Sequence, residues 1–216
     1  MDRRIFLSGL GAALAGGASH RLAAQCVLVA PGVAGCTVGL SNHFHIVTQD
    51  CPERCWAASI SGIFGYLGHP VNQDKIALAV FGPMFGTLPC LSSGNTKVLD
   101  AVLSHEWTDD NGVKFNASIT GLFDPLNGVA AMDNDDLVSE LQNDKPMLYC
   151  NRGHAMVIVG IDYRKDMAGN LIAVDRVRVA DPYPGQGYHL LSPAEMVPIA
   201  FGGALTYVAS VDVDGD

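Results

Sequence analysis

The sequence predicts an α+β fold in which an N-terminal helical lobe is followed by an antiparallel β-sheet lobe, with a cleft between them. Two observations predict this plan. Before Pro146 apolar residues recur mainly at helical spacing, whereas after it they form long β-rich runs. The chain has 216 residues, 49% hydrophobic and only 16% charged, which is enough for one domain with a substantial core.

Four helices are predicted in the first part of the chain. The first is expected to start at Pro52, capped by Asp50 or Cys51, and to end near Leu67 before Gly68. The other three are expected to begin at Asn72, at Asn95 or Ser93, and at Asn134.

The second part is predicted to be mostly strands. Four are expected, at residues 147–149, 154–163, 171–180 and 205–213. The segment Ser192-Pro193-Ala194-Glu195 has the pattern of a capping box and predicts one short helix among them. Earlier in the chain, residues 25–48 are expected to be irregular and extended, and residues 113–119 to form a half-polar strand.

Residues 1–24 have the pattern of a secretory signal: a charged start, a short apolar core and small residues at its end. Arg3-Arg4 followed by Phe6-Leu7 resembles a twin-arginine signal, and an ordinary Sec signal is the alternative. The apolar core is too short to span a bilayer. We therefore expect cleavage after Ala24, a domain over residues 25–216 and a periplasmic or secreted protein without membrane attachment.

The six cysteines are interpreted in this exported context, where disulfides are permitted. If Cys55 is a free nucleophile, the remaining five form two pairs and leave one buried thiol. The pairs expected are Cys26 with Cys36 and Cys51 with Cys90, which leaves Cys150. No CxxC pair is present, so a structural zinc ribbon is not expected.

Charge and ligand patterns exclude other classes of function. The net charge is −9 and no basic patch stands out, which argues against a nucleic-acid partner. His43 and His45 alternate as metal ligands can, but no carboxylate or thiol follows at ligand spacing. We therefore predict neither a cofactor nor a metal, and we expect a monomer.

Three residues form a pattern typical of thiol acyl-transfer sites. Cys55 falls in the first turn of a helix, whose dipole favours the thiolate, although it could be a structural cysteine. Gln49 lies six residues upstream and could form an oxyanion hole with the Cys55 backbone N–H, or be a solvated loop residue. His154 follows Gly153 and heads an apolar strand, where it could act as general base or be an ordinary core residue.

Asp162 and Asp181 compete to orient the His154 ring. A turn around residues 166–170 implies antiparallel pairing centred near residue 168, which places Asp181 opposite residue 154 or 155. Asp162 would lie eight residues along the strand, roughly 26 Å away. We therefore choose Asp181, although Asp181-Pro182 could be only a turn, and we expect it to hold Nδ1 of His154 and leave Nε2 for Cys55.

This order of residues resembles the papain-like cysteine peptidases over about residues 45–190. Within that clan, the stretch 55–81 and the pair Asp181-Pro182 are similar to the bacterial bacteriocin-processing and effector-type branch. The resemblance implies a papain-like fold, a peptide or protein substrate and an acyl-thioester intermediate. It also implies four roles: oxyanion donor, nucleophile, base and orienting residue for Gln49, Cys55, His154 and Asp181.

The chain departs from the plant and lysosomal enzymes in two motifs. It has Pro-Glu-Arg between Cys51 and Cys55-Trp56 instead of Gly-Ser/Ala, and it lacks the Asn-Ser-Trp motif. Three alternatives therefore stay open. They are a transglutaminase-like or amidase-type acyl transferase with the same triad, a binding module in which Cys55 is disulfide-bonded, and a zinc site on Cys51, Cys55 and His154.

Overall fold

The computed structural model describes residues 22–82, Cys90 and residues 94–215, so the predicted signal segment 1–24 lies almost wholly outside it. Within these residues there are four α-helices: α1 (Cys55–Tyr66), α2 (Gln73–Phe81), α3 (Thr96–Leu103) and α4 (Asn134–Gln142). The strands are β1 (Gln25–Ala30), β2 (Val33–Gly39), β3 (Glu106–Thr108), β4 (Lys114–Asp124), β5 (Val129–Ala130), β6 (Met147–Cys150), β7 (Ala155–Asp166), β8 (Leu171–Asp181), β9 (Gly187–Leu190) and β10 (Tyr207–Gly215).

The strands form one antiparallel sheet whose main path runs β1-β2-β7-β6-β10-β4-β3, with β8 joining β7 to β9 and β5 pairing with β4. Strand β7 is its centre, because it pairs with β2, β6 and β8. It is also buried on both faces. Val157 and Val159 pack with the first three helices, and Met156 and Ile158 pack with α4 on the opposite face. Burial on both faces explains the nearly continuous apolar run that predicted this strand.

The molecule is therefore built in layers, with α1–α3 and α4 on opposite faces of the sheet. The α+β class is confirmed, but the helices and strands are not separated along the chain as predicted. Residues 25–39 form the hairpin β1–β2 instead of an irregular segment, because Cys26 and Cys36 are in register and disulfide-bonded, and Gly32 makes the turn at φ 75°. No helix among the described residues has the length and apolarity needed to cross a membrane.

Helix α1 begins later than predicted. Its first residue is Cys55 and its N-cap is Arg54, not a residue before Pro52. The carbonyls of Cys51 and Pro52 accept hydrogen bonds from the Gln49 side-chain amide, each at 2.9 Å. The Cys51 carbonyl also accepts from the Arg54 N–H at 3.1 Å, which closes a turn in place of the helical bond that the Cys55 N–H would donate. Cys55 consequently opens the helix.

The predicted starts of α2 and α3 are confirmed. The Asn72 side chain accepts from the Asp74 N–H at 2.8 Å, and the Asn95 side chain accepts from the Val98 N–H at 3.1 Å. Helix α4 is capped one residue earlier than predicted, by Asp133, whose side chain forms a capping box with Asp136.

The predicted helix at Ser192–Glu195 is a turn. The capping contact is present, because the Glu195 carboxylate accepts from the Ser192 N–H at 2.8 Å. However, the residue that would bond the Ala194 carbonyl in an α-helix is Pro198, which has no N–H, and this carbonyl accepts from Ala204 at 2.8 Å. The next helical segment is the short 3-10 helix Ile199–Phe201.

Candidate active site

Cys55 lies at the junction of α1 and the central strand. No side chain caps the first turn of α1, so the backbone N–H groups at this end are not satisfied by a cap. The Cys55 side chain is buried, and its Sγ accepts a hydrogen bond from the Ala155 N–H at 3.4 Å. This contact was not foreseen from the sequence. It places the sulfur against the first residue of β7.

Trp56 anchors the first turn of α1 beneath the site. It is 2% exposed, and its ring packs edge-on against Phe81 at 6.1 Å between ring centroids. A Cβ added to Gly94 would lie 2.6 Å from the indole, so only glycine lets the chain pass this close to α1. Trp56 thus holds both the start of α1 and the backbone at residue 94 beside the cavity.

His154 and Asp181 form the shortest contact of the site, 2.6 Å between Nε2 and Oδ1. The prediction that Nδ1 would face Asp181 is therefore wrong. His154 directly precedes Ala155, whose N–H binds the Cys55 sulfur. The ring nitrogen nearer the main chain, Nδ1, is accordingly left for the thiol, and the far nitrogen reaches Asp181.

The Asp181-Pro182 pair is both a turn and a support for the imidazole. Asp181 Oδ1 also accepts from the Tyr183 N–H at 2.7 Å, a local bond that holds the carboxylate in place. The Tyr183 ring lies edge-on to the His154 ring at 6.3 Å between centroids. The Pro182 carbonyl in turn accepts from the Gln49 N–H at 2.9 Å, which ties this turn to the segment before α1.

The hairpin register separates the two candidate aspartates. The last pair of the β7–β8 ladder is Val157 with Ala180, which puts Asp181 across from Met156. The predicted register was wrong by one or two residues, because bulges shift the pairing three times along the hairpin. Asp162 lies far from the site, as predicted, and accepts a hydrogen bond from Thr37 at 2.8 Å.

The surroundings of His154 alter its protonation. Burial lowers the pKa of the ring, but hydrogen bonds to Asp181 and Cys55 and the negative charge of both partners raise it, with a net result of about 9. The imidazolium is therefore the favoured form at neutral pH. A thiolate beside an imidazolium is a nucleophile paired with a proton donor.

A short loop fixes where His154 stands. The Asn151 side-chain oxygen accepts from the Gly153 N–H at 3.1 Å and from the His154 N–H at 2.9 Å. Its Nδ2 donates to Glu195 at 3.2 Å. Sequence reasoning did not single out Asn151, although an Asn two residues before a Gly is a typical signal for such a turn.

Gln49 is buried and close to the triad in the chain, but its side chain points elsewhere. Both amide protons are directed at the carbonyls of Cys51 and Pro52, and its Oε1 is buried without a hydrogen-bond partner among the described residues. In this arrangement Gln49 shapes the turn that precedes Cys55. Its role as oxyanion donor stays a prediction.

The cysteine pairing agrees with the expectation. Cys26 is bonded to Cys36 and Cys51 to Cys90, while Cys55 and Cys150 are free. Because Cys51 is oxidised, the alternative zinc site that included it is not formed. Burial raises the pKa of the Cys150 thiol, so this second free cysteine is a weak nucleophile although it lines the same cavity.

Cys55 and His154 line a cavity of about 270 Å³, together with Glu53, Trp56 and Arg152. A larger cavity of about 510 Å³ includes His43 and His45 but no residue of the predicted triad. Across the residues that the structure covers, no three His, Cys, Asp or Glu side chains are grouped to hold a metal ion.

Comparison with known proteins identifies the family of the chain. No curated protein matches the chain. The family model described as "Peptidase_C39 like family" matches residues 41–196, well over half of the chain and a range that includes Gln49, Cys55, His154 and Asp181. The chain therefore belongs to the Peptidase_C39-like family, which makes it a cysteine peptidase at the level of the family.

Proposed function

We propose that this protein is an exported, papain-like cysteine peptidase that hydrolyses peptide bonds with the triad Cys55, His154 and Asp181. The observation that carries the proposal is the 2.6 Å contact between His154 and Asp181 on a ring that also interacts with the Cys55 thiol. This is the chain of nucleophile, base and orienting group that thiol acyl transfer requires.

The reaction begins with attack of the Cys55 thiolate on the carbonyl carbon of the scissile bond. The developing oxyanion is stabilised by the Cys55 backbone N–H at the start of α1. As a further part of the proposal, the Gln49 amide turns from the Cys51 and Pro52 carbonyls and donates to the oxyanion as well. The His154 imidazolium gives its proton to the leaving amine, and the acyl group stays on sulfur as a thioester. His154, now neutral, takes a proton from water while the water oxygen attacks the thioester carbon. The carboxylic acid is released, and the Cys55 thiolate is regenerated beside the His154 imidazolium.

Two neighbours prepare this chemistry. The Ala155 N–H supports the sulfur before attack, since it donates to Sγ at 3.4 Å. The Tyr183 N–H holds Asp181 at 2.7 Å, so the carboxylate keeps its position while the ring changes its charge. Neither group exchanges a proton with the substrate, and we assign both to positioning.

The setting of the enzyme is part of the proposal. Two disulfides fit an oxidising compartment, which agrees with export directed by residues 1–24. We propose a monomeric enzyme that acts on a peptide or protein outside the cytoplasm.

The test is digestion of a defined peptide mixture by the mature protein, with products identified by mass spectrometry. New amino and carboxyl termini should appear with wild type and should be absent with a folded Cys55→Ala variant. Equal cleavage by both proteins would reject the triad. A second reaction containing an added primary amine separates hydrolysis from acyl transfer, because an amide product that outweighs the free acid would identify a transferase.

A further inference from the structure

We propose that Arg152 selects substrates that carry a carboxylate on the leaving-group side of the scissile bond. This inference rests on the proposed peptidase function, because it concerns the same cavity. Arg152 is exposed and lines that cavity together with Cys55 and His154. It has no part in the chemical steps described above.

The side on which Arg152 lies follows from the chemistry of His154. The imidazolium protonates the leaving amine, so the leaving group must pass beside the His154 ring. Arg152 stands two residues before His154 in the β6–β7 loop. Glu53, close to the start of α1, lines the same cavity. A carboxylate is therefore attracted beside His154 and repelled near Glu53.

Hydrogen bonds restrain both the Arg152 side chain and the loop that carries it. Its Nη2 donates to the Gly203 carbonyl at 3.3 Å. The residue before it, Asn151, bonds the main chain of Gly153 and His154, and its own carbonyl accepts from Thr206 Oγ1 at 3.0 Å. A guanidinium held this way loses little entropy when it binds, which increases the contribution of each new hydrogen bond.

The charge of Arg152 is also not neutralised by an ion pair among the described residues. None of the carboxylates in the described part of the chain forms an ion pair with it. The Gly203 carbonyl engages one of the five N–H groups of a guanidinium, so donors remain for a carboxylate. The whole chain has a net charge of −9, so attraction of an anionic group depends on cations at the cavity. His154 already pairs with Asp181, which leaves the charge of Arg152 for the substrate.

The carboxylate has two possible sources, an Asp or Glu side chain near the bond or the free terminus of a short leaving group. Three matched peptides separate them. They share one acyl segment and differ in the leaving group: an acidic side chain with an amidated terminus, a neutral side chain with a free terminus, or a neutral side chain with an amidated terminus. Each is tested with wild type, Arg152→Gln and Arg176→Gln. Arg176 is the matched control, since its side chain is 65% exposed and pairs with Asp162 away from the site.

We expect wild type to hydrolyse at least one of the two carboxylate peptides with kcat/KM about 10-fold or more above the neutral one. Arg152→Gln should lose that preference and keep its rate on the neutral peptide within about 3-fold, and Arg176→Gln should behave as wild type. The peptide that shows the effect identifies the source of the carboxylate. Equal kcat/KM for all three peptides in wild type would overturn the inference while leaving the peptidase proposal intact.

A binding measurement covers the case in which none of the peptides is cleaved, which would count against the proposed function. The same three matched peptides are titrated by calorimetry into the Cys55→Ala variant and into the double variant that carries both Cys55→Ala and Arg152→Gln. The inference expects the carboxylate peptides to bind about 10-fold more tightly than the neutral one, and only when Arg152 is present. Equal affinities in Cys55→Ala would refute it whatever the catalytic result.

Discussion

The two ends of the β7–β8 hairpin pair a basic group with a carboxylate in different surroundings. At the end beside α1, His154 contacts Asp181 at 2.6 Å, and the two side chains are 23% and 7% exposed. Toward the turn, Arg164 contacts Asp175 at 2.8 Å, with side chains that are 44% and 38% exposed. Similar pairs thus lie in one hairpin, one enclosed and the other in solvent.

Both ends carry a pair of a basic group and a carboxylate, so the presence of a pair does not distinguish them. What distinguishes the end beside α1 is that its pair is enclosed. Solvent screens the exposed pair, and arginine is charged at any physiological pH, so the contact changes no protonation state. The enclosed pair raises the pKa of an imidazole that would ordinarily titrate near neutrality, and it fixes which nitrogen faces the thiol. The following predictions test this contrast in order of decreasing effect.

Removal of the nucleophile Cys55 or of the base His154 should have the largest effect on activity. We expect Cys55→Ala and His154→Ala each to lower kcat/KM by about 10³-fold or more, because each removes a group that takes part in bond making or proton transfer. Peptide hydrolysis is the measurement, with circular dichroism to confirm the fold. Activity within 10-fold of wild type in either variant would mean that the reaction occurs elsewhere.

Substitution at Asp181 should lower activity, whereas substitution at Asp162 in the same hairpin should not. Asp181→Ala should lower kcat/KM by about 10² to 10³-fold, because the His154 ring loses its orienting group. Asp181→Asn should retain more activity, since an amide oxygen can still accept from His154 and from the Tyr183 N–H. Asp162→Ala is the matched control on the adjoining strand and should be close to wild type. If Asp162→Ala is the inactive variant, the comparison of the two ends is wrong.

Gln49 should have a smaller effect on the rate. If it donates to the oxyanion, Gln49→Ala should lower kcat by about 10²-fold with KM nearly unchanged. The alternative is that it only holds the Cys51–Pro52 turn through its two 2.9 Å bonds. In that case the melting temperature should fall while kcat stays near the wild-type value. Steady-state kinetics and thermal unfolding on the same preparation separate the two roles.

The dependence of kcat/KM on pH should depend on the enclosed pair of His154 and Asp181. The folded pKa of His154 is raised to about 9, so the imidazolium persists at neutral pH and is lost as the pH rises through that value. We expect the alkaline limb of kcat/KM near pH 9 in wild type and at lower pH in Asp181→Asn, because the negative partner is gone. The stability linked to this proton should be fully present below the ordinary histidine pKa and lost between there and pH 9. An alkaline limb that does not move in Asp181→Asn would contradict the assignment.

Substitution at the exposed end of the β7–β8 hairpin should have the smallest effect on activity. Asp175→Ala removes the carboxylate that binds Arg164, and we expect kcat/KM within about 2-fold of wild type, since the pair is screened by water. Peptide hydrolysis at low and at high salt is the measurement. A loss comparable with that of Asp181→Asn would show that the turn end also supports the site.

Much of the fold could be predicted because its signals are local. Asn72 and Asn95 cap helices through their own side chains, and the apolar runs of β6 and β7 needed no partner to be noticed. The start of α1 could not be predicted, because it depends on a turn at Cys51 and Pro52 whose carbonyls accept hydrogen bonds from the Gln49 side-chain amide. The β1–β2 hairpin was missed because its six-residue first strand is wholly exposed and lacks an alternating pattern.

The sequence by itself determined the kinds of groups at the site and the class of fold, whereas the expected pairing of four cysteines needed the structure to establish it. The sequence placed Cys55 in the first turn of a helix, His154 at the head of a strand and Asp181 at the far end of a hairpin, because periodicity, capping and turn residues act over short distances. Only the tertiary structure decided which nitrogen of His154 meets Asp181 and where the Gln49 amide points. It alone brought the Ala155 N–H to the Cys55 sulfur, since these contacts depend on how α1 packs against β7 and on bulges that shift the register.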